Sequence, residues 1–186
     1  MNFLVFNDYP LKDNFSGGIS RIKGFYSEIS KRHNVLLITA DFSNEIKFFS
    51  HDGFLEIILP RKKSIEHEAI EKKLAGRISA NDVLAFEEIF VEPNIEVITY
   101  YVNISDFLIF ETPYLFEISN QFDTKCILFS QNVEENLKKQ IYPKKDSSLL
   151  PLDKVIYKEE FSIKNSDFFF CVTQDDLNFF QNKYNK

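Results

Sequence analysis

The stretch "NFLVFNDYPLKDNFSGGISRI", Asn2 to Ile22, decides the fold. The apolar run Phe3-Leu4-Val5-Phe6 leads into a loop with a proline and small polar residues. Gly17-Gly18 close that loop, two of only five glycines in 186 residues. Ile19, Ile22, Tyr26 and Ile29 then recur at helical spacing, one apolar face of a helix. A strand, a glycine-bearing loop and a helix form the first unit of an alternating α/β chain. Two readings of the glycine pair stand side by side. Glycines at a helix start let a phosphate or sugar oxygen approach unpaired N–H groups and partial positive charge. They also make a flexible turn. Arg21, one turn into the helix, suits a charge-assisted bond to a phosphate or an ordinary solvated surface. The pattern is not GxGxxG, and no GK[ST] follows, which argues against a nicotinamide or ATP loop.

Working outward, the alternation continues. Residues 34–40, "NVLLITA", are a second β-rich run. "IKFFSHDGFLEIILP" reads as two strands around His51-Asp52-Gly53, where Asp-Gly favours a turn. Ser64 suits the cap of a helix with Ile65, Ala69, Ile70, Leu74 and Ile78 as its apolar face and Glu66 and Glu68 in its first turn. Asp82 starts another helix through Phe86 and Phe90 that ends before Pro93. "IEVITYYVNI" is β-branched and aromatic enough to favour a strand, with a helix as the alternative. Residues 106–111, "DFLIFE", are a strand ending in a carboxylate, and Thr112-Pro113 suit a helix N-cap and first position. Strands at 125–130 and 167–173 enclose helices at 133–141 and 152–164, with a loop from Pro143 through residues 144–148. Thr173 caps a last helix with Leu177, Phe180 and Tyr184 on one face. Strands apolar on both faces, separated by helices, imply a Rossmann-like, doubly wound, mostly parallel sheet with helices on both faces, in one domain spanning residues 1–186. Ligands of such sheets lie beyond the carboxyl ends of the strands. The positions to inspect are therefore 7–21, 111–114, 130–134 and 173–175.

The bulk numbers fit an ordinary globular domain: 44% apolar and 27% charged residues. A net charge of −6 excludes wrapping nucleic acid through bulk charge. The clusters Arg61-Lys62-Lys63, Lys138-Lys139 and Lys144-Lys145 read as solvated surface, with contact to an anionic membrane as the alternative. The start lacks a basic region and a long apolar run, and no run of about 18 apolar residues occurs. A cytoplasmic location is expected, with the inner face of a membrane as the alternative. Cys126 and Cys171 sit in apolar runs without CxxC spacing, so both are expected buried and reduced. Most of the 21 phenylalanines are expected in the core. His33, His51 and His67 show no metal-ligand spacing.

Four segments, in order, resemble the N-terminal domain of family-4-type retaining glycosyltransferases of the GT-B fold. They are the Gly17-Gly18 loop and helix followed by "HNVLLIT"; "SDFLIFETPYL"; "CILFSQNVEENL"; and "EEFSIKNSDFFFCVTQDDLNFFQNKY". Two departures stand out: Arg32 takes the place of a usual glycine, and Gln131 stands where one branch of the family carries the histidine of "HN". Glutamine hydrogen-bonds but does not titrate.

The resemblance implies the acceptor-side half of a two-domain enzyme acting in glycan or surface-polysaccharide biosynthesis. Its acceptor would be a glycan or lipid-linked sugar. Its nucleotide-sugar donor would be held largely by a C-terminal domain that follows in the family and is not in these 186 residues. The chain alone is then expected to be inactive. Gly17, Gly18 and Arg21 would face the donor's phosphate or sugar; Gln131 and Glu111 would act at the reacting centre; Asn132, Glu134 and Tyr114 would hold the acceptor. No cofactor or metal is expected. Asn132 equally suits a helix cap, and Glu111 and Glu134 equally suit solvated carboxylates at helix starts. The alternative function is a non-catalytic glycan-binding or assembly module on the same fold. A Rossmann-type dehydrogenase or flavodoxin-like protein is a third class; the missing GxGxxG disfavours the dehydrogenase version.

Overall fold

The computed structural model describes residues 1–12, 16–74, 83–141 and 151–185. Expected features at Ile78, at Asp82, at Lys144-Lys145 and in the loop of Pro143 and residues 144–148 lie outside them, as does the side chain of Leu74. Seven strands form one sheet: β1 (Asn2–Phe6), β2 (Asn34–Asp41), β3 (Lys47–Ser50), β4 (Leu55–Pro60), β5 (Phe107–Phe110), β6 (Cys126–Ser130) and β7 (Phe168–Cys171). Their order is β3-β4-β2-β1-β5-β6-β7. All neighbours are parallel except the β3–β4 hairpin. The helices are α1 (Gly17–Ser30), α2 (Ile65–Leu74), α3 (Ala85–Ile89), α4 (Asn94–Asn103), α5 (Glu134–Ile141), α6 (Leu152–Asn165) and α7 (Gln174–Tyr184), with a 3₁₀ helix at Pro113–Gln121.

The expected fold class holds. One face of the sheet carries Leu4, Phe6, Ile38, Leu108 and Phe110, packed under α3, α4, the 3₁₀ helix, α6 and α7. The opposite face carries Val5, Val35, Leu37 and Ile109 under Leu11 and the α1 residues Ile19, Ile22 and Tyr26. Cover on this second face is narrower among the described residues. Phe168 and Phe170 on β7 remain 46% and 49% exposed there. These two, with Phe25, Phe42 and Phe48, are exceptions to the expectation that most phenylalanines are core.

Three local readings need correction. "IEVITYYVNI" lies in helix α4, not a strand. Its buried residues Asn94, Ile98 and Val102 recur every fourth position, and the Asn94 amide donates to the Pro60 and Ile89 carbonyls at 2.7 and 2.9 Å. Helical periodicity and a tethered start override β propensity. In α2 the Ser64 cap is present, its Oγ accepting from the His67 N–H at 3.1 Å. The buried face, however, is His67 and Ile70, while Ile65 is 89% exposed and Ala69 is exposed. His67 turns inward because Glu88 and Glu71 bond its two ring nitrogens. The basic clusters are not all solvated surface: Arg61 is buried beside Glu88 and over the Phe42 ring, and Lys138 is buried as well.

Candidate active site

The chain winds from β1 through β2 to β4, then returns to β5 on the other side of β1. Connections that diverge from adjacent strands leave a crevice at their carboxyl ends. Asn7 and Asp8 follow β1 there; Glu111 and Thr112 follow β5. The two exits are tied together: the Thr112 hydroxyl donates to Asp8 Oδ1 at 2.8 Å. Thr112 keeps the extended backbone of an N-cap but makes no side-chain capping bond, because its hydroxyl reaches across the sheet instead.

Glu111 is the hub. It is wholly buried. The Tyr26 hydroxyl donates to its Oε1 at 2.5 Å, and the Gln131 amide donates to its Oε2 at 3.2 Å. Arg21 forms an ion pair with the same Oε2. A carboxylate removed from water is costly unless paired and hydrogen-bonded, and here both needs are met. The reading of Glu111 as a solvated helix-start carboxylate therefore falls, as does that of Arg21 as a lone solvated arginine. The Arg21 side chain is 30% exposed, and its Nε is buried without a hydrogen-bond partner among the described residues. Burial, reinforced by Glu111, holds the Tyr26 phenol well above its usual value.

The question raised by the glycine pair receives a split answer. Among the described residues, a Cβ at Gly17 would meet nothing within 4 Å. A Cβ at Gly18 would lie 3.1 Å from Gln131 Oε1 and 3.2 Å from the Tyr9 hydroxyl. The space beside Gly18 is thus taken by Gln131 and Tyr9, while nothing among the described residues crowds Gly17. Ser16, not a glycine, caps α1, its Oγ accepting from the Ile19 N–H at 3.3 Å. Tyr9 hydrogen-bonds Gln131, and burial together with Asp8 and Glu111 pushes its phenol up to about 12. We expect Gly17→Ala to be neutral or slightly stabilising. Gly18→Ala, which must displace Gln131 or Tyr9, should be less stable than Gly17→Ala by about 1 kcal/mol. Urea midpoints of the two variants check this ordering.

Beside this hub lies a crevice of about 150 Å³ lined by Asp8, Tyr9, Thr112, Tyr114, Gln131, Asn132, Glu134, Leu137 and Lys138. Its wall is a hydrogen-bonded relay. The buried Tyr114 hydroxyl donates to Glu134 Oε2 at 2.6 Å, and the Lys138 ammonium lies 3.8 Å from the same oxygen. Glu134 is therefore buried and engaged, not a solvated first-turn carboxylate. The N–H of Glu134 donates to Glu159 Oε1 at 2.5 Å, so a carboxylate from α6 receives the start of α5. Asn132 is exposed at the rim, and its carbonyl accepts from Ser130 Oγ at 2.8 Å.

Burial pushes the Glu159 carboxyl up to about 7, against the lowering by the Glu134 N–H and with the neighbouring Glu134 charge adding to the rise. A folded-state value above the unfolded one means folding favours the protonated form. That contribution is full below about pH 4.5 and is lost as pH rises through about 7. Glu159→Gln should therefore match the wild type near pH 4 and exceed its stability above pH 7, by no more than about 3 kcal/mol. Thermal denaturation across pH 4–8 reads the difference.

The structure brings together Gly18, Arg21, Glu111, Tyr114, Gln131, Asn132 and Glu134 around the carboxyl ends of β1, β5 and β6. Residues 173–175 are not among those lining the crevice. Sequence reasoning missed Tyr9, Tyr26, Asp8, Lys138 and Glu159. Lys138 had a visible signal, since Glu134 and Lys138 stand at helical i, i+4 spacing. Cys126 and Cys171 are free thiols, buried and half-buried, and burial pushes both up to about 11. Among the described residues, no three His, Cys, Asp or Glu side chains stand close enough to share a metal ion. Nor is any helix among them long and apolar enough to cross a membrane.

No protein-family model matches the sequence, and no curated protein matches it either. Solved structures do. The chain is similar to sucrose-phosphate synthase from Thermosynechococcus elongatus over 98% of its own length and 45% of that chain, with a TM-score of 0.65 at 12% identity. The chain has a glycosyltransferase-like fold. A second structure of that enzyme matches 99% of this chain and 83% of its own, with a TM-score of 0.54 at 11% identity. UGT89C1 of Arabidopsis thaliana complexed with UDP matches 98% of this chain and 46% of its own at 12% identity, with a TM-score of 0.48. This chain thus spans less than half the length of the sucrose-phosphate synthase chain in the first comparison.

Proposed function

We propose that residues 1–186 are the acceptor-side, N-terminal domain of a nucleotide-sugar-dependent retaining glycosyltransferase acting in glycan or surface-polysaccharide biosynthesis. The observation that carries this reading is the buried carboxylate of Glu111 at the sheet's switch point. It is held by Arg21, Tyr26 and Gln131 and lies behind Gln131, which lines a crevice of hydroxyl, amide and carboxylate groups. Such a lining suits sugar hydroxyls, which both donate and accept hydrogen bonds. The apolar lining that flat heteroaromatic cofactors need is scarce there.

Each group has a definite task in this reading. Asp8, Tyr114 and Glu134 orient the acceptor sugar. In this reading Glu111, once Arg21 turns away from it, accepts a proton from the attacking hydroxyl. An incoming diphosphate competes with Glu111 for Arg21. That exchange releases the carboxylate as the donor arrives. The donor approaches the start of α1 at Gly17, which no described residue crowds. Gln131 supplies a hydrogen-bond donor near the reacting sugar without changing charge. The nucleotide part is bound chiefly by a second domain across the cleft, so rate depends on both walls being present.

The test combines binding and turnover. In a titration with acceptor glycans followed by NMR, the amides of Asp8, Tyr9, Thr112, Gln131 and Glu134 should shift. Perturbation elsewhere, with these signals still, would overturn the reading. With a donor-binding domain supplied in trans and UDP-, GDP- or CMP-sugars present, transfer should appear with retained anomeric configuration. Glu111→Gln should lower it about 10²- to 10⁴-fold. Glycan binding at the crevice without transfer under any combination would favour the second reading, a non-catalytic glycan-binding module.

A further inference from the structure

The strand "LEIILP" is apolar except for one carboxylate, Glu56, which is 0% exposed. A buried carboxylate in a sheet face must be held by donors, and the donors it has come from three places. The backbone N–H of Leu11, in the loop between β1 and α1, donates to Oε1 at 2.9 Å. The Thr39 hydroxyl on β2 donates to the same oxygen at 2.7 Å. His51, in the β3–β4 turn, bonds Oε2 through Nε2 at 2.7 Å and stacks on Phe54 with ring centroids 4.8 Å apart. The same stretch of loop is held twice more: the Leu11 side chain is 0% exposed among Val5, Ile22 and Leu37, and the Lys12 ammonium lies 4.4 Å above the Phe49 ring of β3. Two residues upstream of Leu11 is Tyr9, which touches Gln131 and fills the space beside Gly18.

We propose that Glu56 is a positioning residue: it pins the β1–α1 loop to the β3–β4 hairpin and thereby sets Tyr9 and Gln131 at the site. The hairpin gains a purpose from this. It adds the sheet's single antiparallel pair and carries the anchor of the loop that approaches the ligand. Glu56 touches no group of the crevice itself and acts only through the loop backbone. The consequence for ligand affinity rests on the function proposed above. The local geometry does not, so the experiment reads the geometry.

The measurement is amide exchange at Leu11 together with the side-chain amide resonances of Gln131, in the full 186-residue chain. Glu56→Leu removes the acceptor and should speed Leu11 exchange about 10- to 100-fold, the range for a lost bond to a charged group. It should also move the Gln131 resonances. Glu56→Gln keeps one carbonyl oxygen for Leu11 and Thr39 and should restore both readouts. Thr39→Val removes a bond to the same carboxylate without touching the loop and should leave both near wild type. Should Glu56→Leu fail to fold, Glu56→Asp keeps the charge, draws the oxygen back by one methylene and should reproduce the exchange effect. Unchanged Leu11 exchange, an equal rise in Thr39→Val, or a rise with Gln131 unmoved would each overturn the proposal.

Discussion

Replacing Glu111 by alanine should destabilise the isolated chain by about 3 kcal/mol, a large fraction of a domain's usual 5–15 kcal/mol. The change leaves the fully buried Tyr26 hydroxyl without its acceptor and the Arg21 guanidinium without its counter-ion. Arg21 is 30% exposed and can turn toward water, so the loss stays at the low end of what a broken buried pair costs. The signature lies in the double variant. With Arg21→Ala added, part of the loss should be recovered, giving a coupling of about 1 kcal/mol or more. Tyr26→Phe, which keeps the ring and drops the hydroxyl, should couple to Glu111→Ala in the same direction. Urea denaturation of the four proteins of each cycle supplies the numbers. A loss below about 1 kcal/mol, or additive effects, would mean that this cluster does not organise the switch point.

The second large effect concerns the phenylalanines. Phe110 is wholly buried, with ring centroids 5.0 Å from Phe6 and 4.7 Å from Phe116. Phe110→Ala should cost about 3–5 kcal/mol through lost burial and the cavity left behind. It should also loosen the backbone that delivers Glu111, its neighbour in sequence. Phe170 also stacks, 5.0 Å from Phe129, but is 49% exposed, so Phe170→Ala should cost less than about 1 kcal/mol. Two residues of one type in two parallel strands thus separate by their cover. Thermal denaturation of the pair measures the contrast.

Much of this fold can be read from residue order. Apolar runs too short for helices, most followed by a segment with a three-to-four-residue apolar period, specify most of the parallel β–α units. The hairpin is equally plain, because Asp52-Gly53 marks a turn and Gly53 takes a positive φ of 87°. α4 is harder: Val, Ile and Tyr in succession favour a strand, and only the burial of every fourth residue, together with the tether at Asn94, makes it a helix. The exposure of Phe168 and Phe170 on β7 is invisible in the sequence, since an exposed Phe170 and a buried Phe110 look alike without their neighbours.

The candidate site divides the same way. Gly18, Arg21, Glu111, Tyr114, Gln131 and Glu134 stand out because each follows a strand, where a doubly wound sheet places ligands. Their mutual bonds were not legible, because Arg21 and Glu111 are 90 residues apart and only the β1–β5 pairing joins them. Glu56 and Glu159 escaped for a related reason. Glu56 is a carboxylate inside an apolar strand and Glu159 one on the buried face of the charged helix α6, and the partners of both come from elements distant in sequence. An isolated charge within a buried strand or helix face is the sequence signal worth following, because burial obliges it to find donors.

The central claim is that the crevice beside Glu111 takes a sugar acceptor. The most direct measurement is the ligand-induced thermal shift of the 186-residue chain with glycans, with UDP-, GDP- and CMP-sugars, and with NAD and FMN. A ligand that binds only the folded state raises the melting temperature by mass action. The account predicts a shift with glycans that Glu134→Gln weakens, little or none with the nucleotide sugars, and none with NAD or FMN. A clear shift with NAD or FMN, and none with any glycan, would contradict it.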